Sequence, residues 1–300
     1  MLDALKNEVN SLLPGRSTED GATRRTALKA ALGVGYAATA MPIMAQTAIK
    51  TPDTGLITGT PVYEVDNYPV PFFYAAPAGK KNLPVVIVVQ EIFGVHEYIA
   101  DTCRRFAKAG YLAIAPDLYA RQGDASRYTD IGKLMAEVVS KVPDAQVMDD
   151  LDGAVQWAKA NGGNINKLAV TGFCWGGRIT WLYAAHNKQV KAGVAWYGRL
   201  VGATNALTPK QPIELAASLK APVLGLYGGQ DGGIPLTTVN EMKDALAAAK
   251  GNHAAQASEF VVYPQAPHAF HADYRPSYRK DAAEDGFARA LAWFKAKGVA

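Results

Sequence analysis

Apolar residues along this chain fall into short runs with two different spacings. The run Pro84-Val85-Val86-Ile87-Val88-Val89 is continuous and β-branched, as in a strand buried on both faces. Residues 97–109 follow as a helix, with Ile99, Cys103 and Phe106 on one side. The alternation then repeats. Strands are expected at 111–115, 167–171, 190–196, 222–227 and 259–263, and helices at 128–141, 144–160, 176–185, 236–249 and 282–297. The last helix carries Phe287, Leu291 and Phe294 at core spacing. Residues 62–65 and 70–75 read as an antiparallel edge pair behind an extended segment at 52–61. Strands alternating with helices predict an α/β fold, with a mostly parallel central sheet and helices on both faces. Ligand chemistry then belongs at the carboxyl ends of the strands. No repeat or linker interrupts the pattern, so 46–300 reads as one domain.

The first 45 residues read as an address rather than as part of the fold. Thr23-Arg24-Arg25-Thr26-Ala27-Leu28-Lys29 precedes an apolar, Ala-rich stretch that runs to about Met44. Paired arginines, a modest apolar region and then small residues resemble a twin-arginine export signal. Ala27 stands where that motif prefers an aromatic, and an amphipathic N-terminal helix is the other reading of the segment. Cleavage after Ala45 fits the small residues there, with Ala40 or Ala48 as alternatives. The stretch is short and Gly-containing for a permanent membrane helix, so the mature chain is expected without a stable span. The expected partner is the twin-arginine export machinery, and the expected location is periplasmic or secreted.

Composition narrows the chemistry. A net charge of +4 with scattered basic residues, not interleaved with aromatics, argues against nucleic-acid binding. The two cysteines, Cys103 and Cys174, cannot make a disulfide framework, and the five dispersed histidines show no zinc-site spacing. No cofactor or metal is expected.

One stretch carries most of the chemical information. An apolar strand runs into Gly172-Phe173-Cys174-Trp175-Gly176-Gly177, and a helix-forming run follows. This is a nucleophile elbow with a thiol in the central place. Glycines on both sides allow the sharp turn that projects the middle residue. The Trp175 N–H, at the helix start, favours a thiolate and can face an oxyanion. Taken alone, the pattern also fits a buried structural cysteine. A catalytic thiol needs a base and an orienting acid, in the chain order nucleophile, acid, histidine. Asp231 follows a strand in Gly228-Gly229-Gln230-Asp231-Gly232-Gly233, and His268 lies just after the last strand. They are the candidate acid and base. His271 is three residues further from the strand end, and His253 precedes the last strand at the opposite edge of the sheet. The second oxyanion donor is expected from the loop after the early strand, at Ile92, next to the carboxylate of Glu91. Trp196 and Tyr197, at another strand end, are candidate pocket walls, although core packing would also place them.

Together these residues resemble the dienelactone hydrolase family, the carboxymethylenebutenolidases. The resemblance is carried by Gln90-Glu91-Ile92-Phe93-Gly94, Asp117-Leu118-Tyr119-Ala120-Arg121, the elbow, Gly228-Gly229-Gln230-Asp231 and His268-Ala269-Phe270. It implies an α/β-hydrolase fold and a Cys174–His268–Asp231 triad. The implied reaction is cleavage of a small ester or lactone, of dienelactone type, through an acyl-thioester. It also implies that Glu91 contacts the resting thiol and gates it, and that Arg121 binds a substrate carboxylate, which a guanidinium suits. The family's dienelactone-specific members carry a second arginine four residues after the histidine. Ala272 stands there, with Arg275 nearby but out of register. The alternative readings are a general carboxylesterase or peptidase-like hydrolase on the same triad, and a non-catalytic protein that holds a small carboxylate.

Overall fold

The computed structural model describes residues 49–300, so the proposed export segment lies outside the described residues. The chain enters through three short-range antiparallel strands: β1 (Leu56–Gly59), β2 (Val62–Val65) and β3 (Tyr68–Pro77). β4 (Leu83–Val89) is the buried β-branched run, and Val85 to Val89 are fully enclosed. α1 (Glu97–Lys108) follows, acidic at its start and basic at its end, as the helix dipole favours. It buries Ile99, Cys103 and Phe106 as the spacing predicts.

β5 (Leu112–Pro116), α2 (Ile131–Glu137) and α3 (Asp144–Ala160) lead to β6 (Gly163–Phe173) and α4 (Trp175–His186). β7 (Val190–Trp196), β8 (Val223–Gly228), α5 (Leu236–Ala248), β9 (Glu259–Tyr263) and α7 (Lys280–Ala296) complete the order, with the one-turn α6 (His253–Gln256) ahead of β9. The strand order is β1-β3-β5-β4-β6-β7-β8-β9, and β2 hangs on β3. From β5 to β9 neighbouring strands pair in parallel, while β3 runs antiparallel to β5. This is the expected α/β architecture, with carboxyl ends gathered on one edge.

Several elements differ from the sequence reading, among them β6, α2 and β1. β6 begins four residues earlier than expected. Its first half is polar and half-buried, yet Gly163 and Asn164 pair with Leu83 and Pro84 before a register shift. The expected helix at 128–141 is shorter, because Asp130 caps it by accepting from Lys133 N at 3.0 Å. It then breaks at the β-branched pair Val138-Val139 into a 3₁₀ turn, Val139–Lys141. β1 was expected only as extended chain. It is an edge strand with Ile57 half exposed, so no alternation marks it.

Candidate active site

β6 delivers Cys174 at the carboxyl edge of the sheet. Its backbone has φ 55° and ψ −113°, a strained region for a residue with a side chain, which forces the thiol out of the turn. The turn closes only because its neighbours lack a Cβ. A Cβ on Gly176 would stand 2.5 Å from the carbonyl oxygens of both Val89 and Gln90. The elbow therefore packs directly on the end of β4. Arg178, one turn into α4, anchors the helix by pairing both carboxylate oxygens of Asp144 at 2.7 and 2.8 Å.

Asp231 and His268 meet beside this thiol, and all three residues are buried. His268 Nδ1 lies 2.7 Å from Asp231 Oδ2. Asp231 Oδ1 accepts from the N–H groups of Gly233 at 2.9 Å and Ile234 at 3.1 Å, so the carboxylate is fixed on both oxygens. His268 also interacts with Cys174. Burial alone would strip the charge from His268, but the negative charges of Asp231 and Cys174 outweigh it. They hold the imidazole well above the ordinary histidine value. Such a site favours the charged imidazolium over the neutral ring.

The two oxyanion candidates lie at a helix start and on a loop. Trp175 opens α4, and Ile92 is buried on the loop after β4. Among the described turn and loop bonds, no main-chain carbonyl takes either N–H. Tyr197 follows β7 with φ 38°, fully buried, and its ring meets that of His268 edge-on at 5.1 Å. It walls the base.

Of the two places expected for Trp196, pocket wall and core, it takes the core. It is a core residue, with its indole N–H on Thr171 Oγ1 at 3.1 Å and its ring 4.4 Å from that of His271. A Cβ on Gly286 of α7 would meet that ring at 2.6 Å, so Trp196 packs between the sheet and α7 and not along a pocket.

Arg121 is placed differently from the expectation. Its Nη1 donates to both oxygens of the buried Asp150, at 2.7 and 2.6 Å, and its guanidinium lies 4.5 Å over the Tyr68 ring. The expected ligand of a substrate carboxylate is an internal ion pair tying the loop after β5 to α3.

Glu91 is 2% exposed and has partners that sequence reasoning missed. Its Oε2 accepts from the Tyr274 hydroxyl at 2.6 Å and lies 3.4 Å from His96 Nε2. Arg275 donates to the same tyrosine oxygen at 3.1 Å. Burial opposes charge on Glu91, but His96, Arg275 and Tyr274 prevail and hold its carboxyl below the usual carboxylate range. The one hint in the sequence was that Tyr274 and Arg275 share the loop of His268.

His271 is excluded as the base. It is buried against Tyr98, whose hydroxyl lies 2.6 Å from its Nδ1, and burial together with the charge of Arg105 holds it neutral, well below the ordinary value. Among the described residues, no group of His, Cys, Asp or Glu forms a metal site, and no helix is long and apolar enough to cross a membrane.

Comparison with known proteins follows the same lines. The family model of the dienelactone hydrolase family matches residues 71–298. A protein of Methylorubrum extorquens, provisionally named carboxymethylenebutenolidase, is 57% identical over 279 residues, covering 93% of this chain and 94% of that protein. One from Escherichia coli K12, with the same provisional name, is 53% identical over 265 residues, covering 88% and 96%. A crystal structure provisionally described as a dienelactone hydrolase from Klebsiella pneumoniae superposes with a TM-score of 0.77 at 56% identity, covering 80% of this chain and 98% of that one. A dienelactone hydrolase-like promiscuous phosphotriesterase from metagenomic libraries shares the fold at 20% identity and a TM-score of 0.66, covering 81% of this chain and 98% of that one.

Proposed function

The chain belongs to the dienelactone hydrolase family and is a hydrolase of esters or lactones, and from that premise we propose that it works through a Cys174–His268–Asp231 triad and an acyl-thioester. The observation that carries this reading is the thiol on its strained elbow beside a buried histidine fixed 2.7 Å from Asp231. The Cys174 thiolate attacks the carbonyl carbon of a small ester or lactone. The carbonyl oxygen takes the electron pair and is held by the N–H groups of Ile92 and Trp175. Collapse breaks the carbon–oxygen single bond, and His268 Nε2 gives its proton to the departing oxygen. A thioester on Cys174 remains. Neutral His268 then takes a proton from water, hydroxide adds to the thioester carbonyl, and the thiolate departs. Asp231 keeps the proton of Nδ1 in place through both steps. No step calls on a cofactor.

Rapid acid quench of the reaction with an aryl ester tests this. Mass spectrometry is expected to find the acyl mass on the peptide bearing Cys174. An acyl group on another residue, with none on Cys174, refutes the assignment.

The same proposal sends the chain through the twin-arginine export machinery to the periplasm or beyond. Its support is the Arg24-Arg25 pair and the short apolar stretch behind it. Recovery of a shortened chain from the periplasmic fraction is expected, and an uncut cytoplasmic chain refutes it.

A further inference from the structure

The base of the triad stands on a stretch of chain without regular structure. Residues 264–279 join β9 to α7 and hold neither helix nor strand. Main-chain bonds pin the start of this loop, where Gln230 N donates to Ala266 O at 3.0 Å. From His268 to Arg275 the main-chain bonds among the described residues run within the loop itself. Ala272 N donates to Ala269 O and Arg275 N to Ala272 O, both at 3.0 Å, and Arg279 N donates to Phe270 O at 2.9 Å. Such a loop has no ladder to fix it, so side-chain ties set where His268 lies. Asp231 and the Tyr197 ring hold one side of the imidazole, at 2.7 and 5.1 Å.

α1 holds the loop from the other side. Tyr98, Asp101 and Arg105 follow one another at helical spacing and share one face. The Tyr98 hydroxyl lies 2.6 Å from His271 Nδ1. One turn or so further on, Arg105 Nη2 donates to Asp273 Oδ2. Among the described residues this is the hydrogen bond that Asp273 makes, since its Oδ1 is buried without a partner. The guanidinium is not free to swing. Its Nε donates to Asp101 Oδ2 at 2.7 Å. Asp101 in turn accepts from the Thr51 N–H at 2.6 Å, the Thr51 hydroxyl at 3.2 Å and Arg104 Nη2 at 3.2 Å. Both carboxylates are fully enclosed, and the Arg105 side chain is 16% exposed. An enclosed ion pair adds little stability over apolar packing, because desolvation offsets the attraction. What it does supply is a fixed geometry, and a base displaced by about 1 Å loses rate steeply.

We infer that Arg105 and Asp273 are positioning residues of the reaction: their ion pair, braced by Asp101, sets the loop that carries His268 in its place beside Cys174. Neither touches the reacting atoms. The assignment rests on the hydrolytic role of Cys174 and His268.

Two substitutions at one position test it. Asp273→Ala cuts the tie and leaves no buried charge unpaired, because Arg105 keeps Asp101. Asp273→Asn has the same charge as the alanine variant but keeps an oxygen for Arg105, so the two together separate the bond from the charge. On 4-nitrophenyl acetate, Asp273→Ala is expected to lose about tenfold in kcat with KM within about twofold of the wild type, and Asp273→Asn to recover most of that loss. A second reading does not depend on turnover. Iodoacetamide at about pH 6 alkylates thiolate, and an ordinary thiol is almost wholly protonated there, so the rate at Cys174 reports how well His268 supports the anion. Asp273→Ala is expected to slow that rate by about fivefold, and Asp273→Asn to restore it. A tie that serves folding alone lowers the melting temperature and moves neither reading. Wild-type kcat in folded Asp273→Ala, an unchanged alkylation rate, or no recovery in Asp273→Asn overturns the inference. If Asp273→Ala does not fold, Arg105→Lys, which keeps the charge but lacks the fork that spans both carboxylates, is held to the same two readings. A wild type that cleaves no ester above buffer, or wild-type turnover in Cys174→Ala or His268→Ala, overturns the hydrolytic reading instead.

Discussion

Asp231→Asn changes one atom and tests what the acid does. In the native site, Oδ1 is held by two main-chain donors, Gly233 N at 2.9 Å and Ile234 N at 3.1 Å. The asparagine oxygen keeps that place, because the amide nitrogen cannot accept from those N–H groups. The nitrogen therefore takes the position of Oδ2, which lies 2.7 Å from His268 Nδ1. Two donors then face each other unless the imidazole shifts its proton to Nε2. That tautomer cannot take a proton from the thiol or from water. The substitution also removes a negative charge that helps to keep His268 charged against burial. The expected loss in kcat/KM is about a thousandfold, or about 4 kcal/mol of barrier. The folding cost is smaller, about 1–2 kcal/mol, since both main-chain bonds survive. Release of 4-nitrophenol from an aryl ester measures the first, and thermal melting the second. A variant that stays folded with kcat/KM within about threefold of the wild type refutes the role of Asp231.

Other outcomes follow from the same contacts. Arg121→Ala leaves Asp150 buried without its cation and is expected to cost about 2–4 kcal/mol in a denaturant melt, while kcat/KM on an uncharged aryl ester holds within about twofold; a large selective loss of turnover instead assigns Arg121 to the substrate. Gly176→Ala sets a Cβ 2.5 Å from two carbonyl oxygens and is expected to lower stability by about 2–3 kcal/mol with a steep loss of turnover; an unchanged melting temperature contradicts the packing of the elbow on β4. His271 is neutral in the fold, its value held well below the ordinary one, whereas the unfolded chain binds its proton at about pH 6.5. Stability is therefore expected to fall as pH drops below about 6.5, and His271→Gln, which keeps a polar partner for Tyr98, to flatten that slope; identical slopes in melts across pH count against it.

Much of the frame was legible before any coordinates. The bounds of α3, β7 and β9 coincide with those read from the apolar runs. The elbow was legible because the close approach of main chains there admits only glycine at Gly176. Asp231 and His268 followed from chain order and strand ends. The partners of distant side chains were not legible. Tyr274 reaches Glu91 across 183 positions, and no local pattern reports such a contact. Arg121 carried a motif that implies a ligand, but its partner, Asp150, sits on the helix two elements on, and only packing brings the two together. Trp196 and Tyr197 were read alike as neighbours in sequence. Alternation along β7 sends one to the core against α7, and the turn after the strand sends the other to the wall of His268.

Turnover of an uncharged aryl ester by Cys174→Ala tests the central claim most directly, with the wild type beside it and folding checked by circular dichroism. A catalytic thiol predicts a folded protein whose burst and steady-state release of 4-nitrophenol are both lost to the level of buffer. Retention of wild-type turnover by the folded variant contradicts the triad.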